Sequence, residues 1–108
     1  MLKKKKGSRE SELQTAILKE LHRQGKFCWR QNNAPIYDPK IGGYRAQTGI
    51  NGLPDIICVL SGVFTGIEVK TKTRQSPDQI LFQKRHELNG GRYILARSVE
   101  DVKKSLDL

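Results

Sequence analysis

Apolar residues in this chain come in short runs whose spacing changes from segment to segment, with turn formers between them. Leu13, Ala16, Ile17 and Leu21 recur at helical spacing behind Ser8, a good N-cap, and Gly25 is a stop. Lys26 to Arg30 (KFCWR) reads as a short strand. Residues 31–52 are a long polar stretch rich in glycine and proline, expected to be a loop, and loops of that length in small domains are often functional. Leu53 to Leu60 (LPDIICVL) predicts a strong strand, Ser61-Gly62 a turn, and Val63 to Lys70 (VFTGIEVK) a second strand. Ser76-Pro77-Asp78-Gln79 opens a helix that runs to about Asn89, with Pro77 at its first position and Gln79 placed for a capping box. Gly90-Gly91 ends it, Arg92 to Ala96 (RYILA) is a strand, and Ser98 caps a last helix carrying Val99, Val102 and Leu106. The predicted order is αβββαβα, an α/β domain over residues 8–108 behind a basic arm of residues 1–7. The two long strands form a hairpin. The strand after the helix lies parallel to its predecessor, so the central sheet is mixed and flanked by helices.

The hairpin brings acids together. With Ser61 and Gly62 as the turn, Leu60 faces Val63 and, by the same register, Asp55 faces Glu68. Lys70, two residues on, shares the face of Glu68, whereas Ile67 and Val69 point into apolar packing. Opposed like charges are destabilising unless neutralised. Lys70 is one remedy. A hard divalent ion such as Mg²⁺, held by two carboxylates, a backbone carbonyl and water, is the other. Glu10 lies on the arc of Leu13, Ile17 and Leu21, while Glu12 points to solvent. The helix dipole and an adjacent site both account for an acid at that place.

Charge adds a partner class. The chain has 108 residues, Lys plus Arg total 20 against 11 Asp plus Glu, and the net charge is +9. Residues 1–9 hold Lys3, Lys4, Lys5, Lys6 and Arg9 and no acid. A basic tail on a basic body points to a polyanion, nucleic acid first. No apolar run is long enough for a membrane span, and no signal peptide follows Met1, so a cytoplasmic location is expected. Cys28 and Cys58 sit inside apolar runs as reduced buried thiols, which excludes a zinc ribbon and a disulfide scaffold. His22 and His86 fall in no catalytic pattern and read as helix-surface residues.

Pro54-Asp55 followed by Glu68-Val69-Lys70 resembles the PD-(D/E)xK nuclease signature. Glu10-Ser11-Glu12-Leu13-Gln14, Trp29-Arg30-Gln31-Asn32, Gly52-Leu53-Pro54-Asp55, Ile67 to Lys70, and Ser76 to Gln79 followed by Gly90-Gly91 resemble, in order, the VRR-NUC branch of that superfamily. The likeness is to its small stand-alone phage and bacterial members, and it covers about residues 8–106. The start of the chain is also similar to archaeal Holliday-junction resolvases.

The resemblance implies a restriction-endonuclease-like fold and a Mg²⁺- or Mn²⁺-dependent, structure-selective DNA endonuclease. It implies Asp55, Glu68 and the Val69 carbonyl as metal ligands, with Glu10 completing the acidic shell directly or through water. Lys70 would orient the attacking water or stabilise phosphate charge, and Gln79 matches the family's glutamine, with Gln83 in reserve. It further implies a homodimer acting on branched DNA such as four-way junctions or flaps. Lys3 to Lys6, Arg30, Arg45, Lys72 and Arg74 are the expected nucleic-acid contacts, with Tyr37 and Tyr44 placed to stack on bases. Lys40 reads as a solvated side chain. A non-catalytic nucleic-acid-binding module of the same fold is the alternative. A restriction-type enzyme with base readout ranks low, because the chain is short for an added recognition domain.

Overall fold

A computed structural model describes residues 8–31, 34–45 and 49–108. The elements are α1 (Ser8–Arg23), β1 (Phe27–Arg30), β2 (Ile36–Asp38), β3 (Gly43–Arg45), β4 (Ile56–Leu60), β5 (Val63–Val69), α2 (Pro77–Leu88), β6 (Arg92–Ala96) and α3 (Val99–Ser105). The arm, with Lys3 to Lys6, and the capping role of the Ser8 side chain lie outside the described residues.

The central sheet has the order β1-β4-β5-β6. β1 and β5 are antiparallel to β4, and β6 is parallel to β5, so the sheet is mixed as expected. The turn between β4 and β5 pairs Leu60 with Val63 and places both Ser61 (φ 50°) and Gly62 (φ 80°) in the left-handed region. Those angles suit a two-residue hairpin, whose twist matches that of the flanking strands.

Helices cover the two faces unequally. Ile17 and Leu21 of α1 and Val102 of α3 bury one face with Cys28, Ile56, Cys58, Ile67, Val69, Ile94 and Ala96. Ala16, expected on the buried arc of α1, is exposed; Leu18 is the residue that packs against the core instead. α1 ends in a Schellman pair, Lys26 N–H to Leu21 C=O and Gly25 N–H to His22 C=O, both 2.9 Å, with Gly25 at φ +73°. The other face carries α2 along β6, where Phe82 meets Tyr93 and His86 meets Phe64. His22 and His86 each bond a backbone carbonyl, of Cys28 (3.0 Å) and Arg92 (2.9 Å), and serve structure.

Two segments differ from the sequence expectation. The expected loop contains a hairpin, β2 paired with β3, closed by Arg45 on Asp38 at 3.1 Å and by the Lys40 amide on the Asp38 carboxylate. Strands of three residues are too short to show a period, so only the turn residues marked this segment. The strand expected from Leu53 begins at Ile56. Leu53 and Pro54 precede it instead, and Pro54 is buried against Gly66 of β5.

Two glycines here lack room for a side chain. A Cβ on Gly66 would come within 2.6 Å of Pro54 Cγ, and one on Gly52 (φ +78°) within 2.3 Å of the Asp78 carbonyl oxygen. Gly52→Ala is therefore expected to lose about 2–4 kcal/mol, from left-handed strain plus overpacking. Gly25→Ala, with nothing within 4 Å of the new carbon, is expected to lose only the strain of roughly 1–2 kcal/mol. Urea denaturation of the two variants measures the difference.

Candidate functional site

The site grows from the last rung of the β4–β5 ladder. Ile56 pairs with Ile67, so Asp55 and Glu68 stand opposite one another one position further out. The Val69 amide points across to the Asp55 Oδ2 (2.8 Å), the Lys70 amide points the other way to the Ala96 carbonyl (3.0 Å), and the Asp55 carbonyl accepts from the Gln31 amide (2.8 Å). By the alternation of a strand, the main-chain groups of residues 55 and 68 then face away from each other. That is a non-hydrogen-bonded pair, the kind whose side chains lie closest, with Cα atoms roughly 4.5 Å apart.

Glu68 is 2% exposed. Its Oε1 accepts from Gln79 Nε2 at 3.0 Å, and its Oε2 is the one buried side-chain polar atom without a partner among the described residues. Burial, and after it the Asp55 carboxylate, push Glu68 well above the ordinary carboxylate range. Burial also raises Asp55, against the lowering effect of the Val69 amide. Lys70 opposes both shifts, and the charge of Glu10 adds to both.

Gln79 joins two expectations in one side chain. Its Oε1 accepts from the Ser76 amide (2.8 Å) and its own amide donates to Ser76 Oγ (3.2 Å), which completes the capping box of α2. Its Nε2 simultaneously holds Glu68. Gln83 faces elsewhere and accepts from Gln75, which also donates to the buried Tyr93 hydroxyl. Glu10 reaches the site less closely, with its Oε1 3.5 Å from the Thr71 amide.

Among the described residues no three His, Cys, Asp or Glu side chains form a ready-made metal cage. Two carboxylates do suit Mg²⁺, which keeps several waters and is held by one or two carboxylates rather than by an all-protein shell. An orphaned, buried Glu68 oxygen beside Asp55 has the chemistry to meet such an ion. The Val69 carbonyl, on the same side of β5 as the Val69 amide, adds a third donor.

The expected nucleic-acid contacts are spread more widely. Lys72 and Arg74 are exposed between β5 and α2. Arg30 is exposed, its Nη2 on Thr15 Oγ1 at 2.7 Å and on the Ser11 carbonyl at 3.3 Å. Arg45 bonds Asp38 in the small hairpin, where Tyr37 and Tyr44 make an exposed T-shaped pair at 5.5 Å. Neither the contact of Pro54 with Gly66 nor the link from Gln75 to Tyr93 was expected from the sequence. Gly66, two residues before Glu68 in a strand, was the available signal for a close approach.

Comparison with solved structures decides the fold. One solved chain described as "VRR_NUC domain" superposes with a TM-score of 0.65 over 91% of this chain and 94% of its own, at 22% identity. This chain has the VRR_NUC fold. No family model and no curated protein matches the sequence. Within the VRR_NUC fold the mixed sheet and its helices are those the sequence predicts.

The shifted carboxylates have a consequence for stability. Both groups hold protons more tightly in the folded protein than in the unfolded chain, so metal-free stability falls as pH rises above the ordinary carboxylate range. Glu68→Gln is expected to stabilise the protein at pH near 7.5 in EDTA by ~1–3 kcal/mol, since a tenfold difference in proton affinity between folded and unfolded states is worth about 1.4 kcal/mol. At pH near 4 the gain should vanish. Urea denaturation at the two pH values checks both.

Proposed function

We propose that this chain is a VRR-NUC nuclease of the PD-(D/E)xK type that hydrolyses phosphodiester bonds in DNA with Mg²⁺ or Mn²⁺. One observation carries the reading: two opposed carboxylates, one of them buried with an unpartnered oxygen, with Lys70 following directly on β5. A pure binder has no use for acids next to phosphates.

In this reading Asp55, Glu68 and the Val69 carbonyl would hold the ion, and Glu10, whose Oε1 lies 3.5 Å from the Thr71 amide, would complete its acidic shell directly or through water. The ion, when bound, lowers the pKa of water and offsets charge developing on the phosphate. Lys70 supplies a fixed positive charge where the phosphate sits and orients the attacking water. Gln79 pins the Glu68 carboxylate from α2, leaving its second oxygen for the site. Lys72 and Arg74, leaving the same strand, grip neighbouring phosphates. Lys3 to Lys6, Arg30 and Arg45 extend the grip. The finer reading is a structure-selective homodimer that cuts branched DNA, such as four-way junctions or flaps, in the cytoplasm of a bacterial or phage-infected cell.

Wild-type protein with Mn²⁺ or Mg²⁺ is expected to cleave a labelled four-way junction or flap faster than a blunt duplex. Asp55→Asn should lose at least roughly 10³-fold in rate while junction affinity stays within about threefold, since removing a metal ligand takes away the activated water. Cleavage gels and binding titrations in EDTA read the two effects. Absence of cleavage by the wild type on branched, linear and single-stranded DNA would assign the protein to binding alone.

Loading can be seen without turnover. Mn²⁺ is expected to raise the thermal midpoint of the wild type at pH near 7.5 by several degrees, because an ion that binds only the folded state stabilises it. The same ion should leave Asp55→Asn nearly unchanged in differential scanning fluorimetry.

A further inference from the structure

The face of the sheet that carries the acids is half open. Side chains of β1 alternate: Cys28 is buried in the α1 core, so Phe27 and Trp29 project to the opposite face, which is the face of Glu68. α2 covers that face along β6 and Pro54 covers it at Gly66. Phe27 is 67% and Trp29 38% exposed, with ring centroids 5.4 Å apart and planes tilted by 56°. Across the sheet, Phe27 pairs with Val59 and Val59 with Phe64, itself 48% exposed.

The register gives the distances from the acids. Trp29 pairs with Ile57, two residues along β4 from Asp55, and Phe27 pairs with Val59, four residues along. At about 3.3 Å per residue the tryptophan row lies ~7 Å from the carboxylate row and the phenylalanine row ~13 Å. The face therefore reads, outward from the acids, as carboxylates, indole, phenyl. A strand whose phosphate lies at the acids would lay its next bases over these rings.

We propose that Phe27 and Trp29 form a stacking platform for unpaired bases of the nucleic acid whose phosphate meets Asp55 and Glu68. The geometry favours a single strand over a duplex. Stacked bases rise about 3.4 Å per step along one strand, whereas the two rings are 5.4 Å apart and inclined, so bases seated on them are unstacked from each other. Aromatic stacking is indifferent to sequence, and cations complement the backbone. The net charge of +9 supplies that complement, while Arg30 itself is held on the opposite, α1 face by Thr15 and Ser11. The proposal rests on the nuclease reading for the place of the phosphate. It adds the substrate feature: unpaired nucleotides beside the cut.

Trp29 is the chain's one tryptophan and reports directly. In EDTA, so that nothing is cut, short oligothymidylate is expected to quench its fluorescence to saturation, and a blunt duplex of equal length to quench it much less. Phe27→Ala, a change at an exposed position, is expected to weaken oligothymidylate binding about 5- to 150-fold, the range of one lost base–aromatic stack. Phe27→Tyr should restore it, and the thermal midpoint of each variant confirms folding. No quenching, equal quenching by duplex, or an unchanged affinity in Phe27→Ala would overturn the platform. So would light scattering in which Phe27→Asp splits a dimer without changing oligonucleotide affinity, which assigns the face to a second copy. Because binding is read without metal or turnover, a failed platform and a failed nuclease give different results.

Discussion

Two carboxylates stand where a β-ladder would ordinarily place compatible partners. Their opposition at the end of β4 and β5 is the constraint around which the rest is built. The non-hydrogen-bonded geometry brings Asp55 and Glu68 close, burial removes the water that would screen them, and like charges opposed in a strand pair are destabilising. Each nearby group answers that cost. The Val69 amide donates to Asp55, Gln79 donates to Glu68, and Lys70 adds a positive charge. One oxygen of Glu68 stays unanswered. A buried orphan acceptor beside a second acid is a costly arrangement for a fold to keep, and a divalent ion would relieve it.

The supports of this pair come from separate parts of the chain. Asp55 is aimed by the segment before β4, whose course depends on Gly52 and Gly66, both lacking room for a side chain. Glu68 is held from α2 by a residue that also caps that helix, so the start of α2 and the state of the acid are mechanically joined. Glu10 arrives from α1 on the far side of the sheet and touches the segment leaving β5. Such a site is assembled only when helices on both faces are docked. The open part of the second face, with Phe27 and Trp29, is then the surface left beside the acids once α2 and Pro54 have taken their places.

Much of the fold was legible because periodicity and turn chemistry agreed. The Ser61-Gly62 turn set the β4–β5 register, and with it the Asp55–Glu68 opposition, since one residue of slip would have moved every side chain to the other face. Ser76, Pro77 and Gln79 announced α2 to the residue. Less was legible where segments are short or contacts are distant. The β2–β3 hairpin has strands of three residues, too few for a period. Leu53 and Pro54 look like strand residues by hydrophobicity, yet both precede β4, and Pro54 covers Gly66. Whether Gln79 caps a helix or serves the acids was undecidable from spacing, because both roles use the same residue at the same place.

The sequence by itself determined which residues oppose across the hairpin, where the helices begin and stop, and that the chain carries a net charge of +9. These follow from local rules: strand alternation, capping chemistry and the count of charged side chains. Only the tertiary structure decided that Glu68 is buried with one oxygen unpaired, that Gln79 does two jobs, and that Trp29 and Phe27 stay partly exposed on the face of the acids. Burial and exposure depend on how elements distant in the chain share the two faces of one sheet, and no local pattern encodes that division.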